Sequence, residues 1–323
     1  MKTNKGLFQK LMILMFSVLL LNSCKKSDDS STKVATDETT VLRTSADDEL
    51  RVSTENDEIY SEINEIALTN QRFRGMNLMA IISGNHIPCN ATVDSSLISQ
   101  GKLTIIFNGN TCNGNASRTG TITLHLPYDA ATNTVTPWAV AGCVLNVTFN
   151  QYRITRLSNG KSITYNGSKQ IINVNGGLVD DGPTFTSPIV HHITGMMQIT
   201  FDNGATRTWN IDRTRTIERI NFVTTITITG NATENGISNV SIWGINRHGD
   251  SFKVSIPTPV VLSSTCNFHA ISGIRVHYGL MRVLTATYGV DQSGNLVTTG
   301  CPYGYKLNWI NHQGNPVQVI LGY

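Results

Sequence analysis

Residues 199–209, Ile-Thr-Phe-Asp-Asn-Gly-Ala-Thr-Arg-Thr-Trp, contain the pattern that decides the fold of this chain. Apolar and polar residues alternate on both sides of the Asn203-Gly204 pair. An Asn-Gly pair accepts the positive φ angles of a type I′ turn, so this stretch predicts a β-hairpin. Six further pairs start at residues 108, 113, 159, 166, 175 and 235 and make hairpin candidates of their surroundings.

Short runs of Thr, Val, Ile, Tyr and Phe alternate with polar residues from Met76 to the end of the chain. Residues 154–164 and 288–297 repeat the strand, turn, strand order. Strands that recur this densely without helices between them predict an antiparallel meander. We therefore predict an all-β fold, either a sandwich or a large curled sheet, over residues 72–323. Two lobes, 72–187 and 188–323, are a possible division of it.

One short N-terminal helix is predicted over residues 53–71. Thr54 is an N-cap with an acid three residues later, and Ile59, Ile63 and Ile66 recur at helical spacing. A single apolar stripe of this kind is usually part of a core. We therefore expect the helix to pack on the β domain.

The first 23 residues have the layout of a secretory signal peptide, with three lysines before the apolar run Leu11–Leu21. This run is shorter than the about 20 residues that span a bilayer. Leu21-Asn-Ser-Cys24 resembles the lipobox of bacterial lipoproteins, which implies lipidation of Cys24 and a membrane anchor. An ordinary signal peptide that contains a cysteine is the alternative.

The residues after Cys24 predict a surface-exposed, tethered protein. Lys25-Lys-Ser-Asp-Asp29 resembles the signal that exports Bacteroidota lipoproteins to the outer cell surface, with a periplasm-facing position as the alternative. Residues 24–52 are rich in Ser, Thr, Asp and Lys, so they are predicted to form a disordered tether.

Charge divides the chain into an acidic leader and a basic body. Residues 25–71 hold five Lys and Arg against twelve Asp and Glu, whereas residues 72–323 hold seventeen against ten. The leader could fold back on the body, or the body could face an anionic partner such as lipopolysaccharide or an acidic glycan. Two solvated faces without a partner are the third interpretation.

Apart from the lipidation cysteine, five cysteines remain. Two units of the chain share the order cysteine, strand, turn, cysteine, strand, and they predict disulfides from Cys89 to Cys112 and from Cys266 to Cys301. Cys143 is then a buried free thiol. Each bridge would contribute roughly 3–4 kcal/mol by the loop-entropy model. No Cys-x-x-Cys motif occurs, so no metal site is expected.

Several segments together resemble a set of Bacteroidota lipoproteins over most of the chain. They are, in chain order, the signal, the tether with Asp47–Glu49, the helix, Cys89–Val93, Arg118–Ile122, Ile154–Ser158, Lys161–Thr164, Trp209–Ile211, Cys266–Phe268 and Val317–Tyr323. The resemblance implies an envelope location and a β architecture. It carries over no active site.

Catalytic signatures are absent from the sequence, which contains no Gly-x-Ser-x-Gly, no His-Glu-x-x-His and no phosphate loop. Asp180-Asp181 and Asp202 stand in turn sequences. Adjacent His191 and His192 would point to opposite faces of a strand, so they could not share an ion. We therefore predict a protein that is not an enzyme and has no cofactor or metal.

The stretch from Arg207 to Arg219 is the best candidate for ligand binding. Strand periodicity places Arg207, Trp209, Arg213, Arg215 and Arg219 on one face, where they could grip an acidic sugar or a phosphate. Alternatively, their stems lie over the core and their head groups pair with neighbours. Nucleic acid is excluded as a partner because no recognition fold is evident and the compartment is wrong.

These observations predict a lipid-anchored envelope protein of the outer membrane with a non-catalytic binding or structural role. A surface carbohydrate-active enzyme with catalytic carboxylates that no motif reveals is the alternative. Such an enzyme would need two acids about 5–10 Å apart in a cleft.

Overall fold

The computed structural model describes residues 88–179, 182–279 and 282–323, together with eight earlier residues. These eight are Leu42, Val52, Ile59, Tyr60, Glu62, Ile63, Ile66 and Phe73. The signal peptide, Cys24, most of the tether and the Asp180-Asp181 pair lie outside the described residues. Within the three described ranges the fold is all-β, and the helical elements there are two 3-10 turns, Ile98–Gln100 and Ser264–Cys266.

Seventeen strands follow one another along the chain. They are β1 (Ala91–Asp94), β2 (Lys102–Asn110), β3 (Ala116–His125), β4 (Tyr128–Asp129), β5 (Thr134–Val135), β6 (Cys143–Arg156), β7 (Ser162–Asn173), β8 (Ile189–Phe201), β9 (Thr206–Ile220), β10 (Val223–Gly230), β11 (Ala232–Glu234), β12 (Ile237–Ile245), β13 (Ser251–Ser263), β14 (Ala270–Tyr278), β15 (Leu284–Val290), β16 (Gly304–Ile310) and β17 (Pro316–Gly322).

Fifteen of these strands form a single antiparallel sheet, and β4 and β5 pair separately. The sheet follows chain order as a meander, which confirms the predicted all-β class and its large sheet. The predicted boundary between two lobes, at residues 187 and 188, falls between β7 and β8. These two strands pair over eleven residues, so the sheet is continuous there.

Four Asn-Gly pairs close hairpins as predicted. Those at 113, 159, 203 and 235 lie in the turns β2–β3, β6–β7, β8–β9 and β11–β12. In the Asn203-Gly204 turn, the amide of Gly204 donates to the carbonyl of Phe201 over 3.0 Å. The hairpin predicted at residues 199–209 is therefore present.

Two other pairs lie inside strands, where the hairpin prediction is wrong. Asn108-Gly109 belongs to β2 and Asn166-Gly167 to β7. At Gly167 φ is +129°, and a Cβ there would stand 2.5 Å from the carbonyl oxygen of Met196 on β8. This glycine is therefore needed for the close approach of two strands rather than for a turn.

The stretch at residues 288–297 is also not a hairpin of two long strands. A tight turn follows β15, with the amide of Gly294 donating to Asp291 O, and only an isolated bridge joins Val290 to Leu296. The next strand starts at Gly304. The sequence pattern therefore predicts the turn correctly, but it places the second strand before residue 297, whereas the strand begins at Gly304.

Four strands close into a small barrel within the sheet. Strand β9 pairs with β10 along residues 213–220 and with β12 at Asn210 and Ile211. Strand β13 likewise pairs with β10 near its end and with β12 near its beginning. The ring β9–β10–β13–β12 is therefore closed, and β8 and β14 continue the sheet on its two sides.

Burial alternates along the central strands, so the sheet has a buried inner face and an outer face open to solvent. In β9, every second residue from Arg207 to Ile217 is buried, and the residues between them are half-buried or exposed. The same alternation holds in β3, β6, β7 and β8. This pattern is typical of an antiparallel sheet with one solvated face.

The inner face carries two hydrophobic clusters. The larger one spans β2 to β9, reaches β12 and β13, and includes Ile59, Tyr60, Ile63, Ile66 and Phe73 from the N-terminal part of the chain. The smaller one spans β10 and β13 to β16 and includes Leu42. Most of the predicted helix, 53–71, lies outside the described residues. The five residues of it that are described are helical, and they pack against the sheet.

Two disulfides link pairs of segments that lie outside the strands. They link Cys89 to Cys112 and Cys266 to Cys301, with Cα–Cα distances of 5.1 and 5.4 Å, which are the two predicted pairs. Cys143 is a buried free thiol, also as predicted. Burial raises the pKa of this thiol to about 11, which keeps it protonated and unreactive.

Candidate functional site

The strip of arginines on β9 does not form an open surface. Arg207, Trp209, Arg213 and Arg215 lie on the inner face and are at most 6% exposed, and Arg219 is half-buried. The predicted common face is therefore present, but a ligand cannot reach most of it in this structure. The arrangement corresponds to the alternative interpretation, in which the arginines lie over the core.

Aromatic rings receive these guanidinium groups. The Cζ atom of Arg207 lies 4.0 Å from the centre of the Phe252 ring, and that of Arg215 lies 4.4 Å from the Tyr60 ring. Arg219 lies 4.8 Å from Phe185. A cation over an aromatic face keeps part of the electrostatic stabilisation that burial takes away. These contacts explain how the inner face holds several cations.

The acidic leader supplies a counter-charge to the same face. Both carboxylate oxygens of Glu62 accept hydrogen bonds from the guanidinium of Arg118, each over 2.7 Å. Arg118 is buried on β3 and also lies over the ring of Phe107. A residue of the acidic leader thus pairs with the basic body, which is the contact expected if the leader folds back.

A histidine lies in the middle of the inner face. His191 on β8 is 1% exposed, and its Nδ1 is hydrogen-bonded to the hydroxyl group of Tyr60. Trp138 packs on its ring, with the ring centres 5.1 Å apart. Burial and the charge of Arg215 lower the pKa of His191 to about 3, so the ring is neutral at physiological pH.

Small polar side chains cover the outer face. One row crosses six strands through directly paired residues, and another runs beside it. The first row is Thr104, Thr123, Thr148, Ser168, Met196 and Asn210, and the second is Lys102, His125, Asn146, Gln170, Thr194 and Asp212. All twelve side chains are exposed or half-buried.

Hydrogen bonds fix several members of these rows. The amide group of Gln170 donates to Asn146 over 3.1 Å, and the hydroxyl groups of Thr104 and Thr123 are 3.2 Å apart. The carboxylate of Asp212 pairs with Nε2 of His192 over 2.7 Å. Eight of the twelve side chains carry a hydroxyl or amide group, and the others are Met196, Lys102, His125 and Asp212.

Three of the described carboxyl groups accept hydrogen bonds within turns. The pKa of Asp94, Asp129 and Asp291 is lowered, chiefly by hydrogen bonds from Ser96, Thr132 and Asn295 respectively. Each of these contacts lies within five residues of its aspartate, as in turns closed by an aspartate side chain. A general acid needs a raised pKa, so these three aspartates have the wrong chemistry for that role.

The adjacent histidines on β8 lie on opposite faces of the sheet. His191 points to the inner face and His192 to the outer face, which confirms that they cannot share an ion. In the described part of the chain, no group of three His, Cys, Asp or Glu could hold a metal. No helix formed by the described residues is long and apolar enough to cross a bilayer.

Comparisons with protein-family models, with curated proteins and with solved structures found no match. The resemblance to Bacteroidota lipoproteins and the lipidation of Cys24 therefore stay predictions.

The rows of the outer face are absent from the sequence-based site prediction. Their signal was present in the sequence, as Thr, Asn, Ser and Gln at alternate positions of six neighbouring strands. Reading it requires the register between strands, which a single sequence does not provide.

Proposed function

We propose that this protein is a lipid-anchored envelope protein whose outer sheet face binds glycan without catalysis. The observation that carries the proposal is the open array of hydroxyl and amide side chains from β2 to β9. The lipobox at Cys24 and the two disulfides support an extracytoplasmic location, because disulfides persist in oxidising compartments.

The chemistry of the outer face favours an uncharged, hydroxyl-rich ligand. Hydroxyl and amide groups both donate and accept hydrogen bonds, as sugar hydroxyl groups do. The buried position of Arg207, Arg213 and Arg215 removes the guanidinium groups that an acidic glycan would need. We therefore infer a neutral polysaccharide rather than the acidic one that the sequence suggested.

The regular spacing of side chains on the outer face suits a repeating polysaccharide chain. Neighbouring strands lie about 4.8 Å apart, and residues of one face repeat every ~6.8 Å along a strand. Each hydrogen bond contributes only about 0.5–1.5 kcal/mol net. Useful affinity then requires many sugar units to bind at once, as a polysaccharide chain provides.

Ser168 offers a direct test of the outer face. It is exposed at the centre of the first row, between Thr148 and Met196. Ser168→Arg should reduce co-sedimentation with insoluble neutral polysaccharides at least tenfold, because the long side chain covers the paired positions. Ser158→Arg, in the β6–β7 turn, introduces the same residue away from the rows and should bind like the wild type.

The salt dependence of the same assay separates two kinds of ligand. Binding to an uncharged glycan should change little between low and high salt, because screening acts on charges. Equal binding by Ser168→Arg and wild type, or binding that disappears at high salt, would overturn the proposal for this face.

The anchor is tested separately. Wild-type protein should carry fatty acids, detectable by mass spectrometry, and should stay with the membrane fraction, whereas Cys24→Ala should carry none. Processing and membrane retention of Cys24→Ala like the wild type would refute the lipoprotein assignment.

A further inference from the structure

Two turns at the same end of the sheet present large apolar side chains to solvent. Ile220 ends β9, Phe222 lies in the β9–β10 turn and is 70% exposed, and Val223 begins β10. Phe268, 47% exposed, stands in the β13–β14 connection. We call these four residues the apolar tips. Exposed apolar side chains that cluster in this way mark a contact surface more often than isolated ones do.

Both turns contain an Asn-Phe pair in which the two residues have positive φ angles. Asn221 and Phe222 have φ angles of +51° and +66°, and Asn267 and Phe268 have +55° and +58°. Nine described residues other than glycine have positive φ, and seven of these are Asn or Gln. The two phenylalanines are the exceptions. A bulky residue in this region is strained, and strained residues of this kind cluster at functional sites.

Hydrogen bonds hold the two turns rigidly side by side. The amide of Phe222 donates to the carbonyl of Pro183 over 2.7 Å, and the amide of Phe268 donates to Ser263 over 2.8 Å. The amide of Thr224, next to the first turn, donates to Oγ of Ser264, next to the second. The tips therefore form one preorganised surface rather than two independent loops.

The segment between Cys24 and Leu42 is long enough to let this end of the sheet reach the membrane if Cys24 is lipidated. Leu42 is buried in the smaller cluster, whose members extend from β10 over β13 and β14 to β15 and β16. Eighteen residues separate Leu42 from Cys24. Fully extended, they reach at most about 60 Å, and as a coil their ends would lie on the order of 25 Å apart.

We propose that the apolar tips insert into the interfacial layer of the membrane that holds the lipid anchor. This inference rests on the proposed anchor, because the short connection to Leu42 selects a lipid surface as the nearby apolar partner. Strands β9, β10 and β13 would then stand upright on the membrane, and the outer face would point sideways, open to a polysaccharide.

Fluorescence from a single label tests the insertion. Full-length lipidated protein carrying Phe222→Cys is labelled with an environment-sensitive dye and reconstituted into phosphatidylcholine vesicles. The native Cys143 is buried and should not react. Ser158→Cys, at the opposite end of the sheet, is the matched control. We expect a blue shift and at least threefold stronger quenching by spin-labelled lipid at position 222 than at position 158.

Vesicle flotation distinguishes the possible failures. Protein that floats with vesicles but shows equal quenching at positions 222 and 158 overturns the insertion and leaves the anchor intact. Wild-type protein that does not float at all refutes the anchor itself. A blue shift at position 222 that needs an added envelope protein, and not lipid, would overturn the insertion in favour of a protein partner.

Discussion

Strand β9 carries more charged side chains on its buried face than on its solvent-facing side, whereas charged residues usually face solvent. Its buried residues include three arginines, whereas its solvent-facing residues from Thr206 to Thr216 are all uncharged except Asp212. The difference shows that strand alternation and the covering segment decide burial, and residue type does not. Arginines are accepted inside because aromatic rings and the acidic leader receive charged groups of the inner face.

Among the substitutions that compare the two faces of β9, truncation of its largest buried side chain should lower the free energy of unfolding most. Trp209 is 0% exposed, so Trp209→Ala should lower the free energy of unfolding by about 3–5 kcal/mol through lost burial and a cavity. Thr216→Val, on the outer face of the same strand, should change it by no more than ~0.5 kcal/mol. Urea denaturation followed by circular dichroism measures both. Equal effects would show that the two faces are not distinct.

The second largest difference is expected between the ion pairs of the two faces, in the stability that is lost when each pair is broken. Arg118→Ala removes the Nη1 group that donates to both carboxylate oxygens of Glu62 and should cost about 3 kcal/mol. Asp212→Asn weakens the contact with His192 on the outer face, where both side chains are partly exposed, and should cost less than about 1 kcal/mol. The same denaturation experiment applies. A larger loss for Asp212→Asn than for Arg118→Ala would contradict the contrast.

Acid should affect the inner face through His191. The unfolded chain takes up a proton at this ring near pH 6.5, whereas the folded chain does so only near pH 3. The contribution of His191 to stability is therefore complete above pH 6.5 and decreases towards pH 3, with a slope approaching about 1.4 kcal/mol per pH unit. His191→Gln should remove this slope between pH 6 and 4.

His192→Gln is the control for the acid experiment, since this neighbour lies on the outer face. It should keep the decrease in stability that His191 causes. Unfolding free energies measured at half-unit pH intervals compare the two variants, and an unchanged slope in His191→Gln would rule out the buried ring as its source.

Local sequence signals predicted much of the fold. Turns at Asn113, Asn159 and Asn203, the alternation of β9 and the two disulfides all depend on residues that are near one another or repeat a simple period. The pair at residues 166 and 167 could not be assigned to a strand interior from the sequence. Its glycine is needed because the backbone of Met196 on the next strand leaves no room for a Cβ atom. The barrel depends on pairing between Ile211 and Ile242, which no local pattern encodes.

The candidate site was harder to predict than the fold. The sequence placed the β9 arginines on one face but did not show which face would be covered. That depends on Glu62 and Tyr60, which precede the strand by more than 140 residues. Similarly, the outer rows exist only when Ser168 is in register with both Thr148 and Met196.

The closed ring of β9, β10, β13 and β12 has a mechanical consequence. Terminal strands such as β17 have one neighbour among the described strands, so a pulling force can peel them away one hydrogen bond at a time. In the ring, β9 and β13 each hold two strands on one edge, so neither can leave without releasing both. A body tethered in a flowing environment would thus fray from its C-terminal edge and stop fraying at this junction.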